Sequence, residues 1–291
     1  MYETKATEYR LLFRQPVSAA DAQRRLWGAF FVPKNAENRP KTRKKSQKME
    51  DAKNMSQCFT EIMQGRRIAA FLGGAGSGKT EIALNFALGL RKETPRRIRF
   101  FDMDQTKPLF RARDAAEELE RAGVSFHSNT DTSIEDVAAI APGVISALAD
   151  EDSYVIMDVG GNEQGARVIG QFFERLNRAD SAVFLPVNPY RPWAGEPEEL
   201  RETIEKITGA ARCDCVRIIS NPNFCAETRA EDVLAGNEKL KQLLGGRYEI
   251  SFVTASEPLC EALEGRLTER LIPIQIRIRY PWMEDAEAPN E

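Results

Sequence analysis

Residues 68 to 80 join a short apolar run, Ile68 to Leu72, to a glycine-rich turn that closes on Lys79 and Thr80. Gly73, Gly78, Lys79 and Thr80 fill every fixed position of G-x-x-x-x-G-K-[ST], and Gly74 and Gly76 add two further glycines around Ala75 and Ser77. Such a loop binds phosphate because successive backbone N–H groups can curl around an anion only where no Cβ intervenes. Lys79 adds a point charge toward the β- and γ-phosphates, and the Thr80 hydroxyl is placed to hold Mg²⁺. The following stretch, from Glu81 onward, has the apolar spacing of a packed helix whose N-terminus would face the phosphates. Residues 73 to 81 are therefore the expected binding segment for a nucleoside triphosphate.

Two further acidic segments follow in order. Arg97 to Asp104 is a strand-like run ending in Asp102 and Asp104, and Tyr154 to Asp158 is an apolar run closing on an aspartate. Carboxylates at the ends of strands beside a phosphate loop can support Mg²⁺ through its water shell or orient an attacking water. Asp158 and Gly161 also satisfy D-x-x-G, in which a glycine N–H can sense a γ-phosphate and release it after hydrolysis.

The elements that must position these groups alternate from Phe59 onward. Strands are expected at Ile68–Leu72, Ile98–Asp102, Tyr154–Asp158, Ser181–Val187, Cys215–Ser220 and Glu249–Val253, with a weaker one at Val124–Phe126. Helices are expected at about 80–92, 108–122, 134–149, 164–178, 196–208, 229–244 and 257–270. This order predicts an α/β three-layer sandwich: a mostly parallel, twisted sheet with helices on both faces, binding ligand at the carboxyl ends of its strands. The alternating tail Ile274 to Tyr280 reads as an edge strand with one charged face. Residues 1–56 form a separate extension. Between Arg39 and Lys53 it carries seven basic residues against Glu50 and Asp51 with no apolar period, which predicts a solvated linker, and Met55 is a candidate natural start. Residues 57–291 then constitute the P-loop NTPase domain.

Composition narrows the function classes. A net charge of −3 gives no electrostatic case for wholesale nucleic-acid binding. No apolar run approaches the roughly 18 residues of a membrane span, and Arg10, Arg14, Arg24 and Arg25 interrupt any signal-peptide core. Five irregularly spaced cysteines predict reduced thiols and a cytoplasmic protein. Cys213 and Cys215 supply only half of a tetrahedral metal site. The single histidine, His127, is expected to be a polar loop residue.

From about Ile68 to Ser220 the chain resembles the MinD/ParA branch (SIMIBI-type) of phosphate-loop ATPases. The resemblance is carried by Gly78-Lys79-Thr80, the Asp-x-Asp-Gln strand end at 102–105, Val155 to Asp158, Arg178 to Val187 with Trp193 to Gly195, and Ile219 to Asn221. It implies Mg²⁺ support from Thr80 and Asp102, water positioning by Asp104, a distal acidic support at Asp158 and an adenine contact from Asn221. It also implies a slow ATPase in which the ATP or ADP state governs docking to a protein partner. One departure stands out: Gly74 occupies the position where the family carries a lysine that reaches the partner subunit's phosphates, so a nucleotide-closed homodimer lacks its marker. Lys107 and Arg111 are candidate replacement cations.

ATP is favoured over GTP on chemical grounds as well. A guanine site of the N-K-x-D kind needs a carboxylate to accept from the ring N–H and exocyclic amine, and Ile219 to Phe224 contains none, whereas an asparagine amide can both donate to and accept from adenine. Among the family's tasks, DNA segregation fits the balanced charge poorly, and the acidic segment Glu284 to Glu287 argues against an anionic membrane surface. Metalloenzyme maturation or positioning of a cell component remains. The alternative class is a small-molecule kinase or ATP-dependent ligase, with Arg111, Arg113 and Arg167 as substrate contacts.

Overall fold

The computed structural model describes residues 58–104, 116–128 and 140–278. The basic linker, Met55, Lys107, Arg111, Arg113 and the acidic C-terminus lie outside these residues.

Eight strands form one sheet: β1 (Ile68–Phe71), β2 (Arg97–Met103), β3 (Val124–Ser128), β4 (Ser153–Val159), β5 (Ser181–Val187), β6 (Arg217–Ser220), β7 (Ile250–Ser256) and β8 (Leu271–Ile274), in the order β3-β2-β4-β1-β5-β6-β7-β8. Every pairing is parallel. β1, β4 and β5 are buried along their whole length, as expected of apolar, β-branched runs covered on both faces.

One face packs α1 (Cys58–Met63), α2 (Lys79–Glu93) and α3 (Ala116–Arg121) around Phe71, Phe86, Phe100 and Phe184. The stacked Phe71 and Phe184 rings, 5.3 Å apart, centre that layer beneath the phosphate loop. The opposite face carries α4 (Val144–Ala149), α5 (Glu163–Gly170), α6 (Phe173–Leu176), α7 (Pro197–Ala211) and α8 (Ala230–Leu244). The helix α9 (Glu257–Leu263) follows β7 and packs through Leu263 with Val233 and Val253. The three-layer, parallel architecture agrees with the sequence reading.

Several boundaries differ, each for a local reason. The helix expected over 164–178 is split into α5 and α6 by the turn at Gln171 and Phe172, and Gly170 at the end of α5 lies so near the Ala210 carbonyl that a Cβ would stand 2.6 Å from it. The helix expected over 257–270 ends at Leu263, just before Gly265 at φ +69°. In the expected 134–149 helix, the described part becomes helical only after Gly143.

Of the tail expected as a strand from Ile274, only Ile274 is in β8, which runs from Leu271. Beyond it the chain is captured by α2 instead of by a neighbouring strand. Asn85 exchanges two hydrogen bonds with the Gln275 backbone (2.8 and 2.9 Å), and the Glu81 carboxylate accepts from the N–H groups of Arg277 (2.7 Å) and Ile278 (3.1 Å). Helix α1 had no counterpart in the sequence reading. Its N-terminus is capped from a distance by Glu93, which accepts from the N–H groups of Phe59 (3.0 Å) and Thr60 (2.8 Å).

Candidate phosphate-binding site

The β1 strand delivers Leu72 into a turn of seven residues, and α2 begins at Lys79. Three side chains from neighbouring strand ends hold the outside of this turn. Trp193 Nε1 donates to the Ala75 carbonyl (2.9 Å), Arg191 Nε to the Gly76 carbonyl (3.0 Å) and Asn221 Nδ2 to the Ser77 carbonyl (2.8 Å). In a trans peptide the N–H points opposite to the C=O, so the amides of Gly76 and Gly78 face the other way, into the turn. The outward carbonyls of Ala75 and Ser77 pre-set the Gly76 and Gly78 amides for an anion, while the Ser77 N–H between them donates to the Gly74 carbonyl (3.2 Å).

Glycine is required at two of these positions by the neighbours. Gly74 lies under the Trp193 indole. Gly78 has φ +87°, and a Cβ there would meet Asn221 Nδ2 at 2.2 Å.

Asn221 is buried at 3% exposure. Its amide nitrogen is on Ser77, and its Oδ1 accepts from the Thr254 hydroxyl (2.8 Å) on β7. Its carboxamide thus braces the loop from below, a role the sequence reading did not assign to it.

The expected acidic groups converge on the other side. Asp102 and Asp158 are register partners on β2 and β4, and Asp102 Oδ1 accepts from the Asp104 N–H (3.0 Å). Lys79, only 4% exposed, sets its ammonium 3.9 Å from Asp104 Oδ2. Gly161 lies against that ammonium, since a Cβ on it would fall 2.9 Å from Nζ. Lys79, Thr80, Asp102, Asp104, Asp158 and Gly161 therefore share one cluster.

Asp158 is 1% exposed, and its Oδ1 has no hydrogen-bond partner among the described residues. Burial pushes its carboxyl up to about 7 against the opposing pull of Lys79; Asp102 adds to the rise, and a hydrogen bond with Thr80 opposes it. A buried carboxylate oxygen without a partner, beside a threonine hydroxyl and a second carboxylate, is a donor set of the hard oxygen type that suits Mg²⁺. Among the described residues no three His, Cys, Asp or Glu side chains form a self-sufficient metal cage. Phosphate and water oxygens would have to complete the coordination, which is the usual situation for Mg²⁺.

Other candidates fall elsewhere. Glu81, expected among the nucleotide contacts, turns its carboxylate to Arg277 and Ile278, leaving only its backbone at the loop. Arg167 pairs with Glu163 on the surface of α5. Cys213 donates to the Ala211 carbonyl (3.5 Å), and its thiol is pushed up to about 11 by burial and by Asp214, while Cys215 is exposed. Among the described residues neither belongs to a ligand cluster. His127 is in β3, not a loop, stacked on Phe101 with centroids 4.7 Å apart. Arg191 and Thr254 were missed altogether, and Trp193 was noted without a role.

No protein-family model matches the chain, and no curated protein matches it in sequence. Solved structures do resemble it. The signal recognition particle receptor FtsY from Elizabethkingia anophelis, in complex with GDP, gives a TM-score of 0.42 at 17% identity, covering 74% of this chain and 72% of that one. FlhF complexed with GMPPNP and Mg²⁺ gives 0.43 at 12% identity, covering 80% and 81%. HypB from Helicobacter pylori, in complex with nickel, gives 0.37 at 17%, covering 69% and 83%. At these overlaps the likenesses carry no argument about function, which rests on the geometry of the loop and its carboxylates. Among the described residues no helix is long and apolar enough to cross a membrane.

Proposed function

We propose that the chain is a Mg²⁺-dependent ATP-binding protein and slow ATPase whose nucleotide state controls docking to a protein partner, in metalloenzyme maturation or in positioning a cell component. The observation that supports this most directly is the convergence of Lys79, Asp104 and Gly161 beside a turn whose carbonyls are held outward. The turn amides and the α2 N-terminus take the phosphates, and Lys79 exchanges its contact with Asp104 for one with the β- and γ-phosphates. Thr80, Asp102 and Asp158 are the groups that would hold Mg²⁺. When bound, the ion neutralises charge on the phosphate oxygens. Asp104 orients the attacking water, and Gly161, already against the Lys79 ammonium, carries the switch signal through its loop.

ATP remains the favoured nucleotide because Asn221 to Asn223 offers no carboxylate to a guanine.

Incubation with ATP and Mg²⁺ tests the reading. Slow phosphate release that Asp104→Ala abolishes supports it, whereas phosphate transfer to a metabolite, with negligible release in its absence, would replace it with the kinase alternative. A pull-down in ATP with the Asp104→Ala protein traps the ATP-favoured partner.

A further inference from the structure

The positive charge that the loop lacks at position 74 has a counterpart in the strap that follows β5. Arg191 leads into a short 3-10 turn, Pro192–Ala194, and its Nε donates to the Gly76 carbonyl (3.0 Å). A Cβ on Gly76 would stand 2.9 Å from that Nε and 3.2 Å from Cζ, so the guanidinium lies directly on the loop backbone. Nε is one of five donors on the group. Among the described residues the two Nη groups have neither a hydrogen bond nor an ion pair. The guanidinium is anchored at the edge of the candidate phosphate-binding turn.

Its position is fixed from both sides. Before it, Asn188 Oδ1 accepts from the Tyr190 N–H (3.1 Å); after it, the Trp193 indole is tied to Ala75 (2.9 Å). The guanidinium is therefore in place before any ligand arrives, and less ordering is needed on binding.

Building on the nucleotide reading above, we propose that Arg191 is a phosphate-contacting residue supplied within the chain. With Nε anchored on the outward Gly76 carbonyl, its Nη groups donate to polyphosphate oxygens that project past the edge of the turn, while the inward amides and Lys79 serve the phosphate held inside it. The loop thereby gains a second fixed cation without a second subunit, on the same rim where Trp193 covers Gly74.

The test is a fluorescence titration of the full chain with an N-methylanthraniloyl ATP analogue and Mg²⁺, at low and high salt. Arg191→Ala is expected to weaken binding about tenfold or more at low salt, the scale of a charge-assisted hydrogen bond, with the deficit shrinking at high salt. Arg191→Lys keeps the charge and is expected to recover most of the affinity. Arg191→Gln keeps a neutral donor for Gly76 and is expected to lose as much as Arg191→Ala, which covers the case in which the alanine variant fails to fold. Trp193→Phe removes a neutral clamp on the same loop and should give a small deficit that salt does not change. If Arg191→Ala and Arg191→Gln bind like the wild type, or match Trp193→Phe in size and salt-insensitivity, Arg191 is only a clamp and the proposal fails. If the wild type does not bind the analogue, the nucleotide reading itself fails, and this inference with it.

Discussion

The indole of Trp193 occupies the space that a side chain at position 74 would need: a Cβ on Gly74 would lie 2.5 Å from Cε2 and 2.8 Å from Cζ2. The glycine at that position and the tryptophan of the strap are one feature, in which the ring packs on bare backbone while its Nε1 holds the Ala75 carbonyl.

A lysine at position 74 therefore displaces the strap. Gly74→Lys is expected to lower the melting temperature and weaken nucleotide binding, and adding Trp193→Gly should restore much of the lost stability by clearing the space. A thermal-unfolding double-mutant cycle measures this, and the two substitutions should be strongly non-additive.

Asn221 has a bracing role in the loop that can be measured apart from base recognition. Asn221→Ala strands the buried Ser77 carbonyl and takes the Thr254 hydroxyl's best acceptor, at a cost of about 2 kcal/mol. Binding of ATP and GTP should fall together. A changed ATP-to-GTP affinity ratio in competition titrations would instead make Asn221 a base-reading residue.

Asp158 links the site to pH. Its carboxyl is raised from 3.8 to about 7, so the folded chain keeps a proton that the unfolded chain releases in between. In a chelator, stability contributed by this group is present at the acid end and lost as pH rises through that window. Asp158→Asn should flatten the dependence and melt higher than the wild type above neutral pH. Mg²⁺-dependent nucleotide binding needs the ionised carboxylate and should weaken in the wild type as pH falls below about 7.

Glu81 secures the segment after β8. Glu81→Ala leaves the Arg277 and Ile278 amides without their acceptor, which should cost about 1–3 kcal/mol and raise hydrogen exchange at residues 275–278. Exchange there matching the wild type would contradict this.

The phosphate loop, the strand alternation and the acidic strand ends were legible in the sequence because each depends on local pattern: glycine spacing, apolar runs and carboxylates closing those runs. What escaped depends on contacts between distant segments. Arg191 and Trp193 lie more than a hundred positions from the carbonyls they hold, and nothing in their own surroundings marks them as loop contacts. The strand expected at the tail failed similarly. Its alternation is real, but Glu81 and Asn85 on α2 take the backbone groups that a sheet edge would have used. The bracing of the loop by Asn221 was not legible either, because its two amide partners come from β7 and the loop itself.

The most direct test of the central claim is calorimetric titration of the full chain with ATP and Mg²⁺, beside Lys79→Ala. One ATP per chain, bound at least about tenfold more tightly by the wild type than by Lys79→Ala, is the expected result. No binding by the wild type, or equal binding by the two proteins, would contradict the assignment of residues 73 to 80 as a nucleotide site.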